Sequence, residues 1–491
     1  MRVLFIYPVY SYPRKSPPIG LASLAAYTMQ DGHDVRILDL NVSPRDGTSF
    51  ARELRTLNPD LIGVSFMTNQ YGSALGLIAR CREILPGAFL IAGGPHASAL
   101  PAELMREAPT LNAVCAGEGE IPLGMLLRAM EHANPPELHT IPGLTYRDES
   151  SLSLVSNPEP VECLDLESAP WPAWQLLKLD RYHVFAPCGD PAKMTFAMVS
   201  SRGCPGQCIF CDSHSVFGRR FRARSAQNLL REVRYLHEEF GMEQFDFVDD
   251  LITLDRARIL EFCDLLRASG THFTWMANAR IDTLDDEILS AMNAAGCVRI
   301  DVGVESGDPA VRKVLKKGIS NERIVRVHRF CRRIGLKVGT FLMVGNLAET
   351  TESVGMTADL MKGLTDDPSI SIACPYPGTE LYRIAREQGY LLTEDWSKYV
   401  TAPTFVKDYQ PVMRTDTMSA EEILDAYYYL VGVFAADKFR SRYGQRYYFN
   451  PRFIRDYLLS SAQYGGFVRK CRMALRVALP MCVTKFRDRK R

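Results

Sequence analysis

The chain has 491 residues, 46% hydrophobic and 23% charged, a composition that supplies large cores and excludes a disordered or collagen-like polymer. Its 58 Lys and Arg balance 57 Asp and Glu, so no global field draws it to nucleic acid or to an acidic partner, and no nucleic-acid partner is expected. At roughly 150 residues per domain the length corresponds to about three domains. The 13 cysteines, odd in number and scattered, make a poor disulfide framework and point to a reducing compartment with a metal site.

The opening Met1-Arg2-Val3-Leu4-Phe5-Ile6-Tyr7-Pro8 is a buried-strand run stopped by proline, not a signal peptide, so a cytoplasmic location is expected. The uncharged stretch 61–79 holds Ser65, Thr68, Asn69 and Gln70 and is too polar for lipid; no transmembrane helix is expected. Apolar strands at 3–7, 34–38, 61–66, 89–92 and 113–116 alternate with helical patterns at 20–30, 50–57, 73–85 and 122–132. This alternation predicts an α/β fold, a parallel sheet covered on both faces, in a Rossmann-like domain over 1–135. Ligands of such sheets sit beyond the carboxyl ends of the strands, here Ser65-Phe66-Met67-Thr68, Gly93-Gly94-Pro95-His96 and Gly117-Glu118-Gly119-Glu120.

Prolines crowd the segment 136–190, which reads as a linker with a small hairpin. Strands at 195–200, 244–248, 273–277, 299–304, 338–344 and 369–373 then alternate with helices at 226–240, 256–269, 285–295, 321–334 and 351–363. Such a series over 191–395 predicts a partial (β/α) barrel of the TIM type, with its chemistry at the carboxyl ends of the strands. A helical region, 396–491, closes the chain.

Just after the first barrel strand comes Ser201-Arg202-Gly203-Cys204-Pro205-Gly206-Gln207-Cys208-Ile209-Phe210-Cys211. Glycine and proline keep this segment from continuing as helix, so that Cys204, Cys208 and Cys211 can converge on one metal centre. Three cysteines holding an iron–sulfur cube leave one iron open for a cofactor. The alternative is a structural zinc site completed by His214.

The Cys-x3-Cys-x2-Cys spacing, with an aromatic residue before the last cysteine, resembles the cluster motif of the radical S-adenosylmethionine (SAM) enzymes. The resemblance continues through Phe245-Asp246-Phe247-Val248-Asp249-Asp250, Asn278-Ala279-Arg280-Ile281-Asp282, Val302-Gly303-Val304-Glu305-Ser306-Gly307 and Val344-Gly345-Asn346. It implies a [4Fe-4S] cluster on Cys204, Cys208 and Cys211, and SAM contacts from Asp249, Asp250, Arg280, Glu305 and Gly345. It also implies reductive cleavage of SAM to a 5′-deoxyadenosyl radical, fed by an electron donor such as a flavodoxin or ferredoxin.

The N-terminal unit resembles the domain of that superfamily's cobalamin-binding branch in Pro17-Pro18-Ile19-Gly20-Leu21-Ala22, Gly32-His33-Asp34-Val35, Gly63-Val64-Ser65, Ala92-Gly93-Gly94-Pro95-His96 and Gly117-Glu118-Gly119-Glu120. The resemblance, spanning residues 1 to about 395, implies cobalamin lined by Ser65, Met67, Gly93, Gly94, His96 and Glu118. The Asp-x-His-x-x-Gly motif that supplies a cobalt ligand in methionine-synthase-type domains is absent after the first strand. A domain that binds no cobalamin is the plainer alternative.

Beyond the barrel, 420–439 reads as a helix apolar nearly all round, assigned to the core rather than to a cavity wall, and 453–462 as another. The segment 467–479 sets Phe467, Cys471, Leu475 and Leu479 opposite Arg469, Arg472 and Arg476. With the basic tail to Arg491, this fits peripheral contact with an anionic inner membrane surface; the alternative is a packed helix with a solvated tail. The expected activity is a cobalamin-dependent radical SAM methyltransferase acting on an unactivated carbon of a small molecule or lipid such as a hopanoid. An oxidative cyclase of tetrapyrroles and a zinc-stabilised binding protein are its rivals.

Overall fold

The computed structural model describes residues 1–10, 16–43, 46–133, 135–148, 151–158, 163–182, 190, 193–403, 406, 408–444 and 450–452. The helices expected at 453–462 and 467–479, and the basic tail, lie outside the described residues.

The first sheet has seven strands: β1 (Arg2–Tyr7), β2 (Asp34–Asp39), β3 (Leu61–Ser65), β4 (Phe89–Gly93), β5 (Ala113–Cys115), β6 (Leu144–Arg147) and β7 (Leu154–Ser156). Their order is β2-β1-β3-β4-β5-β6-β7. β1 to β5 are parallel, and the β6–β7 hairpin, from the proline-rich segment, continues the sheet antiparallel beyond β5. Alternation of side chains accounts for the two layers. Leu4, Ile6, Ile62 and Val64 face one core, while Val3, Phe5, Leu61 and Ile91 face the other. The order reverses between β1 and β3, and this switch point opens a crevice at the carboxyl edge.

The second unit begins with β8 (Thr195–Met198) and a two-rung ladder of β9 (Ser201–Arg202) with β10 (Arg222–Ala223). It continues with β11 (Gln244–Phe247), β12 (Thr274–Ala279), β13 (Cys297–Glu305), β14 (Lys337–Val344) and β15 (Asp367–Ile372). β8 and β11 to β15 form a six-stranded sheet in chain order, all parallel, and β15 does not pair with β8. Each strand lies beside its predecessor, as in a barrel, but the barrel is open.

Its convex face is apolar: Phe196, Phe245, Phe247, Trp275, Ile300, Val302 and Leu342 pack on Leu229, Val233, Ile259 and Phe262 of the surrounding helices. Trp275 stacks on Phe245 at 6.0 Å, meets Phe247 and Phe262 edge-on, and donates through Nε1 to the Ala295 carbonyl at 2.8 Å. By alternation the concave face carries Asp246, Met276, Asn278, Arg299, Asp301, Gly339 and Phe341.

The two units touch through the barrel's core. Trp174 and Tyr182, from the segment between them, pack in the barrel's apolar cluster together with Ala22 and Val42 of the first unit. The helix Ala420–Tyr443 opens with a capping box of Ser419 and Glu422 and buries Ile423, Ala426, Tyr427, Leu430 and Phe434 in that cluster. It packs as core, on β14, β15 and the helix Thr351–Met361.

Trp275→Ala is expected to cost about 3–5 kcal/mol, read by urea denaturation, because it removes an indole fully enclosed by aromatic rings.

Candidate active site

The chain leaves β8, forms β9 and, before returning as β10, loops out over residues 203–221. Gly203 has φ +83°, and a Cβ there would fall on the Arg220 carbonyl, so only glycine lets the chain enter this loop. Cys204, Cys208 and Cys211 are half-buried on it. Arg280, at the end of β12, donates through Nη1 to Cys208 Sγ at 3.7 Å and is held by Asp282 at 2.9 and 2.7 Å. A Cβ on Gly206 would lie 3.2 Å from Cys204 Sγ and 3.0 Å from Arg280 Nη1, so the backbone closes down on the sulfur.

Burial raises the Cys204 thiol and pushes Cys211 up to about 12, so a bound cation is what would hold these sulfurs as thiolates. Three cysteines on one loop, with the Arg280 guanidinium beside them, are a donor set that an iron–sulfur cube accepts. Zinc at about 2.3 Å from each sulfur would draw all donors tightly together. In this structure, no three His, Cys, Asp or Glu side chains among the described residues are gathered closely enough to hold a metal ion. His214, the expected fourth zinc ligand, instead has Nε2 3.2 Å from the Cys204 carbonyl.

The carboxyl edge of the barrel brings some of the expected SAM residues to this loop and not others. Asp250 accepts from Ser213 Oγ, and Arg280 touches Cys208. Glu305 ends β13 with φ 66°, in the left-handed region, and pairs with Lys317 Nζ at 2.5 Å; that ammonium lies 5.9 Å from the ring of Phe210, next to Cys211. Asp249 is 2% exposed and its carboxylate is taken up by Ser200 N, Ser200 Oγ and Ser201 Oγ at 2.9, 2.8 and 2.5 Å, so here it fixes the turn from β8 to β9. Gly345 is likewise covered. A Cβ there would meet Ile423 at 2.8 Å, and its N–H donates to Glu349 at 2.7 Å.

At the first sheet's switch point, the loops after β1 and β3 are tied by Gln70 Nε2 donating to the Pro8 carbonyl at 2.8 Å. Val9 and Met67 stand 50% and 49% exposed there. Exposed apolar side chains at Val9 and Met67 and small residues at Ser65 and Gly93 would suit a broad macrocycle laid on this edge. Gly94 serves the fold instead. A Cβ there would lie 2.8 Å from the Phe66 carbonyl and Ser65 Oγ, so the glycine lets β3 and β4 close together.

Two expected cobalamin contacts, His96 and Glu118, are engaged by other parts of the protein. His96 is 1% exposed and packed among Phe66, Tyr71 and Trp396, with Nδ1 3.3 Å from Thr68 Oγ1; burial pushes it down to about 4, so it is a neutral core histidine. Glu118 is bound by Arg202 and Arg222 of the second unit.

The two carboxyl edges meet. The helix Pro95–Ala99 after β4 packs on His214–Phe217 of the cysteine loop, a Cβ on Gly117 would lie 3.7 Å from the Val216 carbonyl, and Gly378 admits Ser215 and Ala99 at its α-carbon. Sequence reasoning missed the floor of the barrel. There Arg299 donates to Asp301 and Asp367 at 2.7 Å each, and Asp246 lies in the same cross-strand row as Arg299, with Met276 between them. Polar side chains alternating with apolar ones, Gln244 and Asp246 in β11 and Arg299 and Asp301 in β13, were the available signal. Burial first, and the charge of Asp301 second, push Asp246 up to about 7.

An open half barrel bearing three cysteines after its first strand, joined edge to edge with a doubly wound domain, defines a radical SAM enzyme with a cobalamin-binding domain. Residues 198–361 match the radical SAM superfamily and residues 9–127 the B12 binding domain. An uncharacterized methyltransferase of Pyrococcus horikoshii is 31% identical over 83% of this chain and 85% of its own length. The hopanoid C-3 methylase of Methylococcus capsulatus is 26% identical over 77% of this chain and 70% of its own. An anaerobic magnesium-protoporphyrin IX monomethyl ester cyclase of Rubrivivax gelatinosus is 25% identical over 87% and 76%. Among solved structures, OxsB, with aqua-cobalamin and SAM bound, aligns over 97% of this chain and 72% of its own with a TM-score of 0.71 at 17% identity, a likeness of fold. The chain belongs to the cobalamin-binding radical SAM family. Within it, the chain is a methyltransferase whose cofactors are a [4Fe-4S] cluster, SAM and cobalamin.

Two measurements test the site. Cys204→Ala, Cys208→Ala and Cys211→Ala should each lose most iron and sulfide after anaerobic reconstitution, while Cys263→Ala, in the core, keeps them. Asp246 binds its proton more tightly folded than unfolded, so its stabilising contribution is full below about pH 3.8 and is lost as pH rises to about 7. Asp246→Asn should therefore flatten the decline in denaturation free energy between about pH 4 and pH 7.

Proposed function

We propose that this enzyme transfers a methyl group from SAM to an unactivated carbon of a small-molecule substrate held in the open barrel. The observation that carries this reading is the meeting of the two carboxyl edges at the helices Pro95–Ala99 and His214–Phe217, which makes the cysteine loop a neighbour of the cobalamin domain. When bound, the cofactors supply a radical able to take hydrogen from carbon and a transferable methyl group.

The chain's own residues supply placement. Cys204, Cys208 and Cys211 would hold the cluster, with Arg280 offsetting its negative charge. Asp250 and the Glu305–Lys317 pair present polar groups beside it for SAM. Val9, Met67, Ser65 and Gly93 would bed cobalamin.

Val248 and Phe341, 41% and 40% exposed, offer the concave face apolar walls above the Arg299–Asp301 floor. Walls of this kind and the likeness to a hopanoid methylase make a polycyclic isoprenoid lipid the first substrate to test. Peripheral membrane contact through 467–491 belongs to the same reading and rests on the sequence alone. No helix among the described residues is long and apolar enough to cross a membrane. A flavodoxin or ferredoxin is the proposed electron donor. The likeness to cyclases favours a second reading, oxidative ring formation on a tetrapyrrole.

SAM labelled in its methyl group separates the two readings. Methyl transfer puts the label in the product of a hopanoid or other lipid substrate. Cyclisation of a magnesium porphyrin ester with no label in the product would overturn the proposal.

A further inference from the structure

The loop that carries the three cysteines is closed at its base by two residue pairs only, Arg202 with Arg222 and Ser201 with Ala223. A ladder this short does not hold by itself. Like charges directly opposite in an antiparallel pair repel, and here both arginine side chains are only 11% and 10% exposed. Buried guanidinium groups without counter-charges are strongly destabilising.

The counter-charges come from the N-terminal domain. Glu118 Oε2 accepts from Arg202 Nη1 at 2.8 Å and from Arg222 Nη1 at 3.2 Å, while its Oε1 accepts from Arg222 Nη2. Glu120 Oε1 accepts from Arg202 Nη2 at 2.6 Å. Both carboxylates are buried as well, 14% and 5% exposed. Arg202 also lies over the Phe217 ring, and Arg222 donates to the Leu164 carbonyl at 3.2 Å. Two carboxylates and two guanidinium groups neutralise one another at the point where the loop begins and ends.

We propose that Glu118 and Glu120 of the cobalamin-binding domain clamp the cysteine loop shut, so that retention of the iron–sulfur cluster depends on docking of that domain. The proposal rests on the assignment of Cys204, Cys208 and Cys211 as the cluster's ligands, and makes Glu118 and Glu120 positioning residues. Charge strength matters more than shape here, since glutamine preserves the volume and loses the counter-charge.

The test uses the full chain reconstituted anaerobically with iron, sulfide and cobalamin. In Glu118→Gln/Glu120→Gln, iron release to a chelator should be at least about tenfold faster than in the parent (about 1.4 kcal/mol), with cobalamin absorbance and far-ultraviolet circular dichroism unchanged. Glu118→Asp should release iron at an intermediate rate. If the double variant does not fold, the exchange Glu118→Arg/Arg222→Glu decides: it restores the ion pair and should retain iron, whereas Glu118→Arg alone should not. Unchanged iron release, or loss of cobalamin with the cluster retained, would overturn the clamp. Were Cys204→Ala to keep its iron, the ligand assignment would fail instead, so the two failures are distinguishable.

Discussion

Parallel pairing governs this molecule. A strand that pairs parallel with its neighbour must be reached by a crossover, so every strand of the sheet ends on one edge and every following loop opens there. Both units obey this rule, in β1–β5 and in β8 with β11–β15. The cysteines, Arg280, Asp250 and Glu305 lie far apart in the chain yet share one rim because each follows a strand. The two rims then face each other, and the chemistry of two cofactors needs that apposition.

The strand orders differ, and so does what each rim can do. In the first sheet the order reverses between β1 and β3, which leaves a crevice and exposes Val9 and Met67 beside it. A flat ligand can lie across such an edge. In the second sheet the strands follow chain order and curl without closing, so the concave face stays open to a substrate. Aromatic packing around Trp275 holds the convex face rigid while the concave face keeps polar side chains.

Much of the site was legible from local chemistry. The cysteine spacing and the glycines around it determine a loop, and the alternation of apolar runs determines two parallel sheets. What the motifs do not show is which of their residues the fold buries. His96 follows Gly93-Gly94 as a ligand-facing histidine would, but Phe66, Tyr71 and Trp396 enclose it. Asp249 ends a strand as a cofactor carboxylate would, but Ser200 and Ser201 satisfy it. Gly345 lies under Ile423, a residue of a helix far along the chain. Each of these partners is distant in sequence or unremarkable in type, so no local pattern announces it.

By itself the sequence determined the two α/β units, the order of their strands along the chain, and the cysteine triad, because period, turn chemistry and ligand spacing act over a few residues. The tertiary structure alone decided which edge faces which, and which of the carboxylates at those edges stay available. It assigned Glu118 to Arg202 and Arg222, and it set Asp246 beside Asp301 and Arg299 on the barrel floor. Whether a charged side chain meets a ligand or another side chain depends on what packing brings within about 3 Å of it, and that distance is set by the whole fold.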